Sequence, residues 1–133
     1  MDATFIQKIR SDFPEFVFKP AERFSFRMPR TIFVNFEAEK ANLLTLHELG
    51  HAILGHTSFN TGVERVKMER AAWEEARKLA KIYEVEFDED FVEAKLDTYR
   101  DWLDKKTRCP KCGLTRFQDP EGNFHCPRCE NFS

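Results

Sequence analysis

Between Leu43 and Leu54 the chain is apolar at most positions, with Leu43, Leu44 and Leu46 ahead of His47-Glu48-Leu49-Gly50-His51 and Ala52, Ile53 and Leu54 behind it. Such a run reads as a largely buried helix, and Gly55 is placed to end it as a left-handed cap. At about 100° per residue, His47 and His51 lie one above the other on that helix and Glu48 sits on the adjacent flank. Neutral imidazoles withdrawn from water need partners. Two satisfied core histidines would meet that need. A metal would meet it with chemistry attached: at this HExxH spacing His47 and His51 can share one Zn²⁺, with Glu48 beside it as general base.

A catalytic zinc commonly takes three protein ligands and keeps one position open. His56 is not the obvious third, because it lies nine residues after His47 whereas the HExxHxxGxxH pattern needs ten. On a continuing helix it would point about 180° from His47, so a supporting or surface position is expected. The segment from about Glu64 to Tyr83 offers Glu64, Glu69, Glu74 and Glu75 instead. Ala72, Trp73, Ala76, Leu79, Ala80 and Tyr83 stand 3, 4, 7, 10, 11 and 14 residues after Glu69, which puts Glu69 on the apolar stripe and leaves Glu74 and Glu75 off it. A carboxylate on a core-facing stripe is costly unless paired, hydrogen-bonded or metal-bound. Glu69 is therefore the expected third ligand. The alternative is a glutamate near the helix start that gains from the macrodipole or pairs with Arg65 or Arg70.

The run Leu46-His47-Glu48-Leu49-Gly50-His51-Ala52-Ile53-Leu54-Gly55-His56, followed by Glu69-Arg70-Ala71-Ala72 and Ala76, resembles the ImmA/IrrE family of zinc metallopeptidases. The resemblance covers roughly residues 15 to 103. It implies a glutamate ligand in an E-x-x-A-x-x-x-A helix, which maps onto Glu69, Ala72 and Ala76, and substrates among repressors and other transcription regulators. One departure is Glu75, where the family often has an aromatic.

Ahead of the HExxH helix, Phe24-Ser25-Phe26-Arg27 and Thr31-Ile32-Phe33-Val34-Asn35-Phe36 alternate as strands do, joined across Met28-Pro29-Arg30. The expected fold is α+β: a small antiparallel sheet packed on the HExxH helix and two further helices, zincin-like. An edge strand of such a sheet can receive a peptide through its main chain. The last of these helices is expected to start at Asp88 and to bury Phe91, Val92, Leu96, Tyr99 and Leu103. The polar run Asp104-Lys105-Lys106-Thr107-Arg108 marks a boundary, giving a metallopeptidase domain over 1–104 and a small module over 105–133.

That module carries Cys109-Pro110-Lys111-Cys112 and Cys126-Pro127-Arg128-Cys129, two CxxC knuckles separated by thirteen residues. The pattern is that of a Cys₄ zinc ribbon, with Thr115-Arg116-Phe117-Gln118 and Asn123-Phe124-His125 as its hairpin. Disulfides and a rubredoxin-like iron are the chemical alternatives. Six Lys/Arg against three acids, offset by four thiolates on a divalent ion, leave the module near neutrality. Nucleic-acid binding thus has little electrostatic support, and docking of protein or simple stabilisation serves as well.

The expected protein is a cytoplasmic zinc endopeptidase with one catalytic and one structural Zn²⁺. His47, His51 and Glu69 would hold the first, and Cys109, Cys112, Cys126 and Cys129 the second. Glu48 would act as base, and His56, Tyr83 or Tyr99 would support the site or stabilise the oxyanion. No 18-residue apolar run occurs, and Met1-Asp2-Ala3-Thr4 does not begin as a signal peptide does. Two other readings fit parts of the pattern. A SprT-like protease acting on DNA-associated proteins would need a downstream histidine ligand, for which only His125 is available beyond His56. A non-catalytic zinc-ribbon adaptor would have no use for Glu48.

Overall fold

The computed structural model describes residues 2–56 and 61–129. Its order is α1 (Ala3–Asp12), β1 (Val17–Pro20), β2 (Ser25–Arg27), β3 (Thr31–Val34), α2 (Ala41–Leu54), α3 (Gly62–Tyr83), α4 (Glu89–Thr107), β4 (Phe117–Gln118) and β5 (Phe124–His125). The class is α+β, with four helices among the described residues. By compactness the chain forms two units. The first takes residues 2–56 with Arg70–Asp88, and the second takes 61–69 with 89–129. α3 is one unbroken helix that contributes to both. The expected boundary at residue 104 falls inside α4, which continues to Thr107 and groups with the ribbon.

In the first unit the sheet is mixed, not antiparallel as expected. Its order is β1-β3-β2, with β2 antiparallel to β3 and β1 parallel to it. The chain runs from β1 into β2, turns back at residues 28–30 into β3, and so leaves the other edge of β3 for β1. β1 tolerates Pro20 because it is an edge strand. On central β3 only Ile32 and Val34 are fully buried, the period-two pattern of a strand with one face on the core. α2 packs on β2 and β3.

A further difference from the expected fold is α1, an additional helix ahead of the sheet. Phe5, Ile6 and Ile9 form its short apolar face, and the Asp2 carboxylate accepts the Thr4 N–H at 3.0 Å as an N-terminal cap. Phe5 meets Tyr83 edge-on at 6.2 Å, and the Tyr83 hydroxyl donates to Asp12 at 2.5 Å, so α1 is fastened to the end of α3. Three large apolar residues in ten are too few to signal a helix by periodicity alone.

α2 buries Leu43, Leu46, Leu49, Ala52 and both histidines. It comes unusually close to α3, because Gly50 lacks a side chain: a Cβ there would stand 2.6 Å from the Ala72 carbonyl oxygen. The expected stripe on α3 is buried at Ala72, Trp73, Ala76, Leu79 and Ala80.

In the second unit, α4 buries Val92 and Leu96. The Arg65 guanidinium lies over the rings of Tyr99 (5.1 Å) and Trp102 (4.5 Å). β4 and β5 pair antiparallel, Phe117 opposite His125 and Gln118 opposite Phe124. Arg116 ties this hairpin to the end of α4 by donating its N–H to the Thr107 carbonyl at 2.7 Å and its Nη2 to the Lys106 carbonyl at 2.7 Å. Those carbonyls are among the ones a helix end leaves unbonded. Gln118 reaches the other way, accepting the Gly62 N–H at 2.6 Å.

Candidate metal centres

Two groups among the described residues can hold a metal ion: His47 with His51 and Glu69, and the four cysteines. In the first, the ligand atoms all lie within 4.8 Å of one another. Helix periodicity explains the two histidines, which are 6 % and 9 % exposed. Their Nε2 atoms face each other at 3.2 Å. Two nitrogens bound to one tetrahedral zinc at about 2.0–2.1 Å would be about 3.3 Å apart, so the pair needs almost no rearrangement to share an ion. Glu69 reaches the same point because α3 is locked to α2 three residues further on, where Ala72 passes under Gly50. Borderline ligands of this kind, two imidazoles and a carboxylate, suit zinc.

Trp73 is a member of the site that helical phase alone placed only in the core. Its ring stacks on His47 with centroids 4.0 Å apart and planes 21° apart. Standing four residues after Glu69, it shares that residue's helix face, and the spacing could have marked it as a neighbour of the ligands. Glu48 is half-buried beside His47 on α2, partly open to water as a proton-handling group must be.

His56 is brought to the site by the end of α2. Gly55 takes the left-handed conformation (φ 69°), and the His56 N–H bonds the His51 carbonyl at 3.0 Å. The chain therefore reverses, where a continuing helix would have carried His56 to the far side. Its Nδ1 lies 2.8 Å from His51 Nδ1.

Tyr83 and Tyr99 are placed otherwise. Tyr83 stands fourteen residues after Glu69, about 21 Å along the helix, with its hydroxyl on Asp12. Burial, and then that bond, push its pKa up to about 12. Tyr99 lies beneath Arg65 in the second unit. Glu74 is exposed and pairs with Arg77 at 3.4 Å, and Glu75 pairs with Lys78 at 3.8 Å.

In the second group, Cys109 and Cys129 sulfurs are 3.7 Å apart and those of Cys112 and Cys126 are 3.6 Å apart. Sulfurs on one tetrahedral zinc at about 2.3 Å would be about 3.8 Å apart, whereas a disulfide needs about 2.05 Å. All four cysteines are free thiols. The backbone N–H groups of Cys112 and then Lys111 point at the Cys109 sulfur and bring its pKa down to about 6, favouring a thiolate there, while the neighbouring Cys112 and Cys109 sulfurs push Cys129 up to about 12. His125 donates its Nε2–H to the Asp119 carboxylate at 2.7 Å and stacks on Phe117 at 5.1 Å; it is not in the sulfur group.

No helix of the described residues is long and apolar enough to cross a membrane. Comparison with known protein families, with curated proteins and with solved structures finds no match for this chain.

Proposed function

We propose that the protein is a zinc-dependent endopeptidase of the His₂Glu type that cleaves a protein substrate, with the four-cysteine ribbon as a structural zinc site. The observation that carries the reading is the convergence of His47, His51 and Glu69 from two helices, with the two Nε2 atoms at ligand spacing and Glu48 next in the chain. Zinc held by His47, His51 and Glu69 would supply a Lewis acid that polarises a carbonyl and lowers the pKa of water toward neutrality. Glu48 accepts the proton of the attacking water and returns it to the departing amine. Trp73 restricts rotation of the His47 ring and keeps water from that face. The resemblance to ImmA/IrrE peptidases nominates transcription regulators as the substrate class. The Glu69 position supports this over a SprT-like site, since His125 is engaged with Asp119.

The test is Glu48→Gln, which keeps shape and removes the base. Wild type should generate new termini in a proteome-derived peptide library read by mass spectrometry. The variant should retain metal and fold while losing about 10²–10⁴-fold in rate. Cleavage at undiminished rate would remove Glu48 from the mechanism, and no chelator-sensitive cleavage by wild type would remove the peptidase reading.

A further inference from the structure

We propose that His56 is a positioning residue for the metal ligand His51, accepting a hydrogen bond from its Nδ1–H and thereby holding its Nε2 lone pair toward His47 and Glu69. The inference rests on the reading of those three residues as a metal site. Two Nδ1 atoms 2.8 Å apart share a single proton, and there are two ways to place it. Were His56 the donor, a neutral His51 would carry its own proton on Nε2, the atom that faces His47 at 3.2 Å, and could not bind a metal there. With His51 the donor, its Nε2 is free to ligate. The partner on the far nitrogen of a ligating imidazole sets both tautomer and ring orientation.

The fold supplies this partner by a device local to the chain. The left-handed Gly55 turns the backbone, and the bond from His56 N–H to the His51 carbonyl at 3.0 Å joins the same two residues that meet through their rings. The ring centroids are 5.1 Å apart at 64°, so the contact is edge-directed through nitrogen and not a stack. His56 is half-buried, which protects the bond from competing water. A glycine followed by histidine at the end of the helix thus makes His51 a ligand with a fixed lone pair, while Trp73 performs the steric part of the same task on His47.

The test measures zinc affinity of the His₂Glu site by competition with a chromophoric chelator, with the four-cysteine site kept loaded. His56→Ala should bind zinc about 10–100-fold more weakly than wild type. His56→Asn, whose Oδ1 can accept at the position of Nδ1, should recover most of that loss. Ring-nitrogen NMR of the zinc-loaded wild type should show His51 protonated at Nδ1 and His56 at Nε2, a readout independent of whether the variants fold. Wild-type affinity in His56→Ala, no recovery in His56→Asn, or a proton on His56 Nδ1 would each overturn the proposal. His47→Ala separates the two levels. If it loses one metal equivalent while His56→Ala binds normally, only the positioning role fails; if it loses none, the metal site fails and this proposal with it.

Discussion

Gly50→Ala is the substitution that tests how the candidate metal site is built, because it touches none of the ligands and alters only the distance between the helices that carry them. The added Cβ would stand 2.6 Å from the Ala72 carbonyl oxygen, 3.3 Å from its carbon and 3.4 Å from its Cα. Comfortable carbon–oxygen contacts begin near about 3.3 Å, so roughly 0.7 Å of separation is demanded. The obstacle is backbone, and no rotamer change relieves it. Ala72 follows Glu69 by three residues on one rigid helix, so the displacement is passed to the carboxylate. Metal ligands tolerate about ±0.2 Å, and a functional constellation fails beyond about 0.5 Å.

Two free-energy terms oppose one another in this variant. Overpacking costs about 1–3 kcal/mol, and replacing a helical glycine by alanine returns about 1 kcal/mol. The net effect on the metal-free fold is about 1 kcal/mol of destabilisation, a fall in Tm of about 3–5 °C for a chain of this size. Metal binding should suffer far more, with zinc affinity at His47, His51 and Glu69 at least tenfold weaker. Cobalt substitution separates the sites, since thiolate charge-transfer bands report the cysteine cluster and should be unchanged. Wild-type zinc affinity at the His₂Glu site in Gly50→Ala would refute the argument that close helix approach sets the third ligand.

Wild type should hold two metal equivalents per chain, and Glu69→Ala should lose the non-thiolate one and melt like wild type stripped of that metal. Glu74→Ala, which removes only an exposed pair with Arg77, should leave metal content unchanged; equal loss in both variants would dismiss the phase argument. Tyr83 offers a pH test. Its folded pKa of about 12 lies above the ordinary value of 10, so the neutral hydroxyl is the form the fold favours. Its contribution is fully present below pH 10 and is lost as pH rises toward 12. Tyr83→Phe should cost about 1 kcal/mol at neutral pH and flatten that alkaline loss in denaturation curves; an unchanged alkaline limb would place the effect elsewhere.

The helices of the core were legible where a stripe was long enough to repeat. The α3 stripe, buried from Ala72 to Ala80, spans more than two turns, and each turn confirms the phase of the last. α1 offers only Phe5, Ile6 and Ile9, a pattern that a loop could carry equally. β1 was hidden for another reason. Val17-Phe18-Lys19-Pro20 buries one residue, Phe18, and ends in proline, so its place is decided by the free edge of β3 and not by its own composition. With β1 unseen, the strands at 25–27 and 31–34 formed a hairpin, and a hairpin alone is antiparallel. Arg116 is likewise invisible as a splice between ribbon and helix, since reaching the Lys106 and Thr107 carbonyls is a tertiary fact.

The candidate ligands were legible for a reason that does not extend to their supports. A metal ligand is constrained by identity and by period: only a few side chains can bind, and on a helix they must recur at three or four residues to reach one point. His47 and His51 satisfy both tests in the bare sequence, Glu69 is singled out by its phase on the α3 stripe, and the structure brings the three sets of ligand atoms within 4.8 Å. A supporting residue is constrained by position alone. On a continuing helix His56 would face away from His47, but α2 stops at Gly55, and that one left-handed residue turns His56 back toward His51. Residues just past a left-handed cap fold back against the final turn, so a polar side chain there should be assigned to the functional groups of that turn and not extrapolated along the axis. Here that turn carries the candidate ligand His51, and the residue folded back is the one whose nitrogen meets it at 2.8 Å.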